Sequence, residues 1–300
     1  MDIIVIDRKT DTKLKENVAG ESFLQWSCRT FLGRTFMEVI GSRKLLSTLM
    51  GFYQNSALSK NQIHKFVETM EINLDEAERS QASDYKSFND FFSRKLRPGV
   101  RTMDANDTVV VSPADGRVLA YQNLEEYQML QIKGKPFSIK ELLADSSTAT
   151  LFKNGCCVVV RLNPSDYHRF HFPVTCIPAR HKEISGRYFS VNPISLKCVD
   201  NVYCKNMRHI SYLNNGKSGL IAMVEVGAAM VGSVMQTYQP DSQVKKGAEK
   251  GFFQFGGSTV ILLFQPDHII LDADLIANTR EGYETLVKMG ESIGKVKDVE

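Results

Sequence analysis

Apolar residues recur at helical spacing through the early part of the chain. Phe23, Leu24, Trp26, Phe31, Leu32, Phe36, Val39 and Ile40 mark one stripe. Leu45, Leu46, Leu49, Met50, Phe52 and Tyr53 carry it past Gly41-Ser42, and Arg29, Arg34, Arg43 and Lys44 interleave. Such a basic amphipathic segment either packs on a domain or lies in a membrane interface with its basic side toward anionic head groups. A further helix starts near Ser59, with Ile63, Phe66, Val67 and Met70 on one face. The acidic stretch 73–84 reads as a loop or a frayed helix. Ser87 then caps a short helix from Phe88 to Leu96, with Asp90 at the capping-box position, and Pro98-Gly99 closes it.

From about residue 105 the period shortens from that of a helix to that of a strand. Thr108–Val111, Arg117–Tyr121, Met129–Ile132 and Cys157–Leu162 read as strands, interrupted by one helical insertion, Ser138–Ala144. Asn215-Gly216 stands between the runs His209–Leu213 and Leu220–Val226, a strong hairpin signal. Thr259–Phe264 is apolar and β-branched throughout, as a buried strand requires. The expected fold is therefore α+β. A helical amino-terminal region over 1–100, read as membrane-associating, precedes a mainly antiparallel β core over 101–300 of barrel-sandwich hybrid character.

Composition narrows the function classes. A net charge of +3 over 300 residues is too small to argue a nucleic-acid partner. None of the six cysteines forms a C-x-x-C pair, so neither a zinc framework nor a disulfide scaffold is expected. No apolar run approaches the roughly 18 residues that span a bilayer. The first residues carry acid early and lack a basic region, which speaks against a signal peptide.

Three places carry candidate chemistry. In Phe255-Gly256-Gly257-Ser258, two glycines enter the buried strand, opening backbone conformations closed to other residues and leaving the Gly257 carbonyl uncrowded beside the Ser258 hydroxyl. A serine hydroxyl needs a base to accept its proton and a group to orient that base. Asp166-Tyr167-His168-Arg169-Phe170-His171 offers two imidazoles, which read as a metal pair, as structural groups or as two acid–base groups with separate duties. Supporting ligands for a metal are absent at useful spacing, apart from Asp166. Ser112-Pro113-Ala114-Asp115-Gly116 is a turn that fixes a carboxylate. Asp115, His171 and Ser258 form the candidate set. Arg117, Arg161, Arg169 and Lys182 are candidates for a phosphate, against a default in which each is paired or solvated.

These stretches carry a resemblance. Ser112–Val118, Tyr167–Pro173 and Val244–Gly251 running on through Phe255–Val260, supported by Ser87–Pro98 and Ser190–Ile194, resemble the phosphatidylserine decarboxylase family in order and spacing. The match extends over about residues 85 to 265 and is closest to members with Gly-Gly-Ser-Thr at the cleavage motif. It departs at Asn206-Met207-Arg208, where a common version has an acidic middle residue.

The resemblance implies that Ser258 attacks the Gly257 carbonyl, with His171 as base and Asp115 orienting it. The chain then parts into 1–257 (β chain) and 258–300 (α chain), and Ser258 becomes a pyruvoyl cofactor, with neither metal nor pyridoxal phosphate. The pyruvoyl group condenses with the amine of phosphatidylserine and takes up the electron pair left by carbon dioxide, as pyridoxal phosphate does elsewhere. His168 is then the proton donor to carbon, and phosphatidylethanolamine leaves. The resemblance further implies a homo-oligomer, peripheral on the cytoplasmic face of the cell membrane. Two rivals use the same residues otherwise. One is a serine hydrolase with Asp115, His171 and Ser258 that never cuts itself, although no G-x-S-x-G elbow is present. The other is a carrier module, although Val224–Val231 offers no lysine at its tip.

Overall fold

Two of the expected strands, observed as Cys156–Leu162 and Ser258–Phe264, pair antiparallel in the middle of the molecule. The computed structural model describes residues 3–36, 44–124, 137–228, 234–256 and 258–297, without the side chains of 44–46. In order across the main sheet run Thr12–Lys15, Ile4–Asp7, Glu284–Val287, Gly116–Tyr121, Cys156–Leu162, Ser258–Phe264, Leu220–Val226, Arg208–Asn214 and Ile177–Pro178, with Lys182–Ile184 also on Arg208–Asn214. Among the described strands of this sheet, only the pairing of Ile4–Asp7 with Glu284–Val287 is parallel. The sheet is open rather than closed into a barrel.

Alternation along the central strands explains why they read as continuously apolar. Val158, Val160, Leu162, Val260 and Leu262 enter one core cluster, while Cys157, Val159, Ile261 and Leu263 enter another on the opposite face. Small sheets cover the first face. One joins Val234–Gln236, Glu249–Phe253 and Arg169–His171, and the other joins Ile269–Leu271, Ser292–Val296 and Val109–Val111. Short helices cover the second face, among them Ile139–Leu143, which fulfils the expected insertion. A third cluster, of Ile63, Tyr85, Phe88, Phe91 and Phe92, belongs to the helical region and takes in Phe255.

Three local expectations differ from what is seen. The chain begins with a β-hairpin, Ile4–Asp7 and Thr12–Lys15, not a helix, and so residues 4–15 join the sheet of the region 101–300. The helix after Ser87 ends at Phe92, four residues early. Ser93 turns its hydroxyl onto the Asn89 carbonyl at 2.8 Å, and Arg94 leaves the helix axis to bond elsewhere. Ser87 does cap the Asp90 N–H, but the Asp90 carboxylate takes Arg79 in a two-pronged ion pair and the Lys86 N–H instead of closing a capping box. The expected strand Met129–Ile132 and the tip at 229–231 lie outside the described residues.

Candidate active site

Strand register brings the motif residues to one end of the main sheet. Thr259 stands opposite Arg161, which stands opposite Arg117. One rung further, Ser258 faces Leu162, and Gly116 begins its own strand with Asp115 just before it. Gly116 has no room for a side chain there, since a Cβ would come within 2.7 Å of the Arg161 carbonyl oxygen. By alternation with Val260 and Leu262, the Ser258 side chain faces the small sheet that contains His171.

Two crossovers then run side by side. Cys156–Leu162 leads through residues 163–168 into Arg169–His171, and Glu249–Phe253 leads through 254–257 into Ser258–Phe264. The first strands of each pair with the last strands of the other. The Phe253 N–H donates to the His168 carbonyl at 2.9 Å. His168 and Ser258 therefore lie at the ends of neighbouring connections between the same two sheets. The His171 N–H donates to the Pro113 carbonyl at 2.8 Å, which draws the Asp115 turn to the same place. Gly256 has φ of 141°, a conformation that a residue with a side chain rarely adopts.

The helix Phe88–Phe92 closes the site from the helical region. The Phe255 N–H donates to Asn89 Oδ1 at 2.7 Å, and Asn89 Nδ2 donates to Asn55 Oδ1 at 3.0 Å. Phe255 packs edge-on against Phe88 and Phe92, while the Phe92 ring lies 3.9 Å from the His168 ring centroid. Water is thus excluded, and Ser258 and His168 are both fully buried.

The hydrogen bonds give the two histidines different states. His168 Nδ1 lies 3.0 Å from the Asp166 carbonyl oxygen, which can only accept, so Nδ1 holds the proton. Its Nε2 is buried with no partner. Burial pushes this imidazole down to about 3, helped by the nearby positive charges of Arg94 and Arg117, so it is neutral at pH 7 with a free lone pair. His171 Nδ1 donates to the Gly247 carbonyl at 2.9 Å, and its Nε2 accepts from the Tyr167 hydroxyl at 3.0 Å. Burial lowers this imidazole too, and it raises the Tyr167 hydroxyl so that the phenol stays protonated.

Asp115 is held apart from His171. Burial works to raise its pKa, but two hydrogen bonds from Arg101 (3.0 and 2.6 Å), the Lys288 ammonium at 3.4 Å and the Met289 N–H at 2.8 Å keep it well below the usual carboxylate range. Both imidazole nitrogens of His171 are taken by Tyr167 and Gly247, and the Ser258 hydroxyl has no partner. The structure therefore gathers Asp115, His168, His171 and Ser258 at one place without linking Asp115, His171 and Ser258 by hydrogen bonds. Arg101, Lys288, Tyr167 and Asn89 are contributors that the motifs did not assign. Tyr167 lay inside a quoted motif, whereas nothing in the sequence pointed to Arg101 or Lys288.

The phosphate candidates are mostly spent. Arg161 binds Glu284 and Glu16 at 2.6 and 2.7 Å, Arg117 binds Glu16 and Asp166, and Arg169 binds Glu249 at 2.8 Å. Lys182 is exposed on an edge strand. Among the described residues, no group of three His, Cys, Asp or Glu is placed to hold a metal ion.

Comparison with known proteins bears on these residues. A family model described as phosphatidylserine decarboxylase matches residues 88–295. Relatives named phosphatidylserine decarboxylase proenzyme include one from Clostridium perfringens, 43% identical over 292 residues, covering 97% of this chain and 99% of the relative. One from Clostridium beijerinckii is 42% identical over 292 residues, covering 97% and 98%. One from Fusobacterium nucleatum is 43% identical over 293 residues, covering 98% and 97%.

Proposed function

The chain belongs to the phosphatidylserine decarboxylase family, and we propose that it cuts itself between Gly257 and Ser258 and decarboxylates phosphatidylserine with the group so made. It is a carboxy-lyase by that membership. The observation that carries the self-processing is a buried Ser258 hydroxyl without a hydrogen-bond partner at the end of a glycine-entered strand.

The first reaction belongs to the chain alone. Ser258 Oγ attacks the Gly257 carbonyl carbon, and the peptide C–N bond gives way to an ester. His171, with Asp115 adding negative charge nearby, accepts the hydroxyl proton. Elimination of the ester frees residues 1–257 with a carboxylate end. The dehydroalanine left at residue 258 tautomerises to an imine, and hydrolysis of that imine releases ammonia, with one water consumed overall. The surroundings of Ser258 suit the product, a small uncharged dicarbonyl flanked by Leu162 and the Phe255 segment, with His168 Nε2 unspent nearby.

The pyruvoyl group supplies a keto carbon for the substrate amine and a neighbouring carbonyl that accepts the electron pair released with carbon dioxide. His168 supplies the proton transfers. Neutral Nε2 takes a proton from the arriving ammonium, which makes the amine nucleophilic, and returns it to the carbon that lost the carboxylate. The aromatic wall of buried Phe88 and Phe92 and half-buried Phe255 keeps water from competing for that carbon. The test is to supply phosphatidylserine in detergent micelles and trap the gas released. One carbon dioxide per phosphatidylethanolamine, from a chain already split at 257–258, is the expected result. An unsplit chain that releases none, and whose Ser258 is labelled by a fluorophosphonate, would establish the hydrolase instead.

A lipid substrate gives the amino-terminal helices a purpose. Among the described residues, no helix is long and apolar enough to cross a membrane. Yet Phe31, Leu32, Phe52 and Leu58 are each more than 70% exposed, at 83, 74, 71 and 72%. We assign this surface, carried by Glu21–Arg29, Phe31–Phe36, Lys44–Asn55 and the turn after them, to peripheral attachment at the bilayer. Deleting residues 1–60 would also remove the Ile4–Lys15 hairpin and the buried Glu16, so point changes are the cleaner probe. Since burying one such side chain is worth roughly 1.5–3 kcal/mol, Phe31→Glu with Leu32→Glu should cut co-sedimentation with anionic vesicles at least about tenfold. Self-cleavage should be unchanged, and vesicle binding equal to wild type would refute the assignment.

A further inference from the structure

Arg94 is buried, at 4% exposure, yet no carboxylate pairs with it. It follows the helix Phe88–Phe92, and its guanidinium lies 5.1 Å from the Phe91 ring centroid. Its Nη2 donates to the carbonyl oxygens of Ser165 (2.9 Å) and Asp166 (3.1 Å), while its Nη1 is buried with no partner. Asp166, Asp115 and Glu76 reach it only through space. Other arginines of the core are accounted for differently. Arg117 and Arg161 hold carboxylates, and Arg208 spends its nitrogens on the carbonyls of Leu142, Cys204, Asn206 and Glu141. Among the described residues, Arg94 is the buried arginine that combines no carboxylate partner with an unspent donor. A guanidinium left so is costly unless an anion completes it.

Its place indicates which anion. The Asp166 carbonyl oxygen that takes Arg94 Nη2 at 3.1 Å also takes His168 Nδ1 at 3.0 Å. The guanidinium and the imidazole are thus anchored to one atom, and the ligand of Arg94 lies beside the group that handles the substrate's proton. Resting on the decarboxylase reading above, we propose that Arg94 is the seat for the phosphodiester of the lipid headgroup, with Nη1 donating to a phosphate oxygen. The other anion of the substrate is its carboxylate, and binding that would oppose the reaction. A guanidinium would stabilise the carboxylate before carbon dioxide leaves and lose that stabilisation as the charge departs. The phosphodiester keeps its charge throughout, so holding it anchors the headgroup equally before and during reaction. Arginine's planar fork suits phosphate oxygens better than a lysine ammonium does.

The role predicts a KM effect, because binding that is equal in ground and transition states sets KM and leaves kcat alone. In split Arg94→Gln enzyme, KM for phosphatidylserine in mixed micelles should rise about tenfold or more, the worth of one charged hydrogen bond, with kcat within about threefold. Inhibition by glycerophosphoethanolamine should weaken by a similar factor, while inhibition by ethanolamine, which lacks the phosphate, should not change. Arg94→Lys should fall between. A fall in kcat at constant KM, or equal weakening of both inhibitors, would show that Arg94 only props the His168 loop and would overturn the proposal. If neither variant splits, wild-type enzyme decides the matter. Methylating the phosphate of glycerophosphoethanolamine to a neutral triester should weaken its inhibition about tenfold, and undiminished inhibition would refute an anion seat. A wild type that releases no carbon dioxide refutes the decarboxylase reading itself, a result separable from each of these.

Discussion

Ser258→Ala is expected to leave the chain whole, with no carbon dioxide released from phosphatidylserine. Intact mass should show wild type as residues 1–257 and 258–300, the second piece one ammonia lighter than a free serine end requires. The variant should show a single uncut chain. Loss of function here is separable from loss of folding for a specific reason. The Ser258 hydroxyl is fully buried and makes no hydrogen bond, so its removal breaks no contact and relieves an unsatisfied polar group. The variant's thermal midpoint should match or exceed that of an uncut wild-type chain. A variant that still splits at 257–258 would mean that some other nucleophile cuts the bond, and Ser258 could then not be the precursor of the cofactor.

The dependence of this chemistry on the helical region runs through few atoms. Asn89 holds the Phe255 N–H on one side and Asn55, in the last turn of the exposed helix Lys44–Asn55, on the other. Phe255 completes the aromatic cluster of Phe66, Phe88 and Phe92. Phe255, three residues before Ser258, is therefore packed on the helical region's core while Ser258 begins a strand of the sheet.

The sequence revealed those parts of the fold that are dictated locally. Cys156–Leu162 and Ser258–Phe264 are buried on both faces, so all their positions but Arg161 are apolar or small and the runs stand out, while Arg161 is buried only because Glu284 and Glu16 pair with it. The Asn215-Gly216 hairpin is set by its turn, with Gly216 at φ of 74°. The hairpin Ile4–Lys15 stayed hidden because its strands are four residues each, one of them wholly exposed. Its partner strand, Glu284–Val287, lies at the far end of the chain. Glu16 gave no sign of being buried, since its partners Arg117 and Arg161 are far away in sequence. At the site, motifs named Asp115, His168, His171 and Ser258, but a motif names residues and not hydrogen bonds. The hold of Arg101 and Lys288 on Asp115 depends on chain crossings that no spacing encodes, whereas that of Tyr167 on His171, four residues on, is local but needs the backbone path to be known.

Those bonds sharpen the second large prediction, which separates the two histidines. His168→Gln should split normally at 257–258 yet lose decarboxylation by about 10²–10⁴-fold, the usual contribution of a positioned acid–base group. Glutamine can keep the hydrogen bond to the Asp166 carbonyl and cannot carry a proton to carbon. His171→Gln should instead remain unsplit. The reverse pattern has a physical basis in the same structure and would exchange the roles. His168 Nε2 is the free lone pair of the pair, whereas His171 must release the Tyr167 hydroxyl before it can accept the Ser258 proton. Tyr167→Phe removes that competitor. If His171 is the base, this change should leave splitting intact or speed it, because Nε2 is then free toward Ser258. If His168 is the base, it should leave the splitting rate unmoved, and His168→Gln should be the variant that stays whole. Splitting rates followed by intact mass for the three variants decide which imidazole serves the cleavage and which serves the lipid.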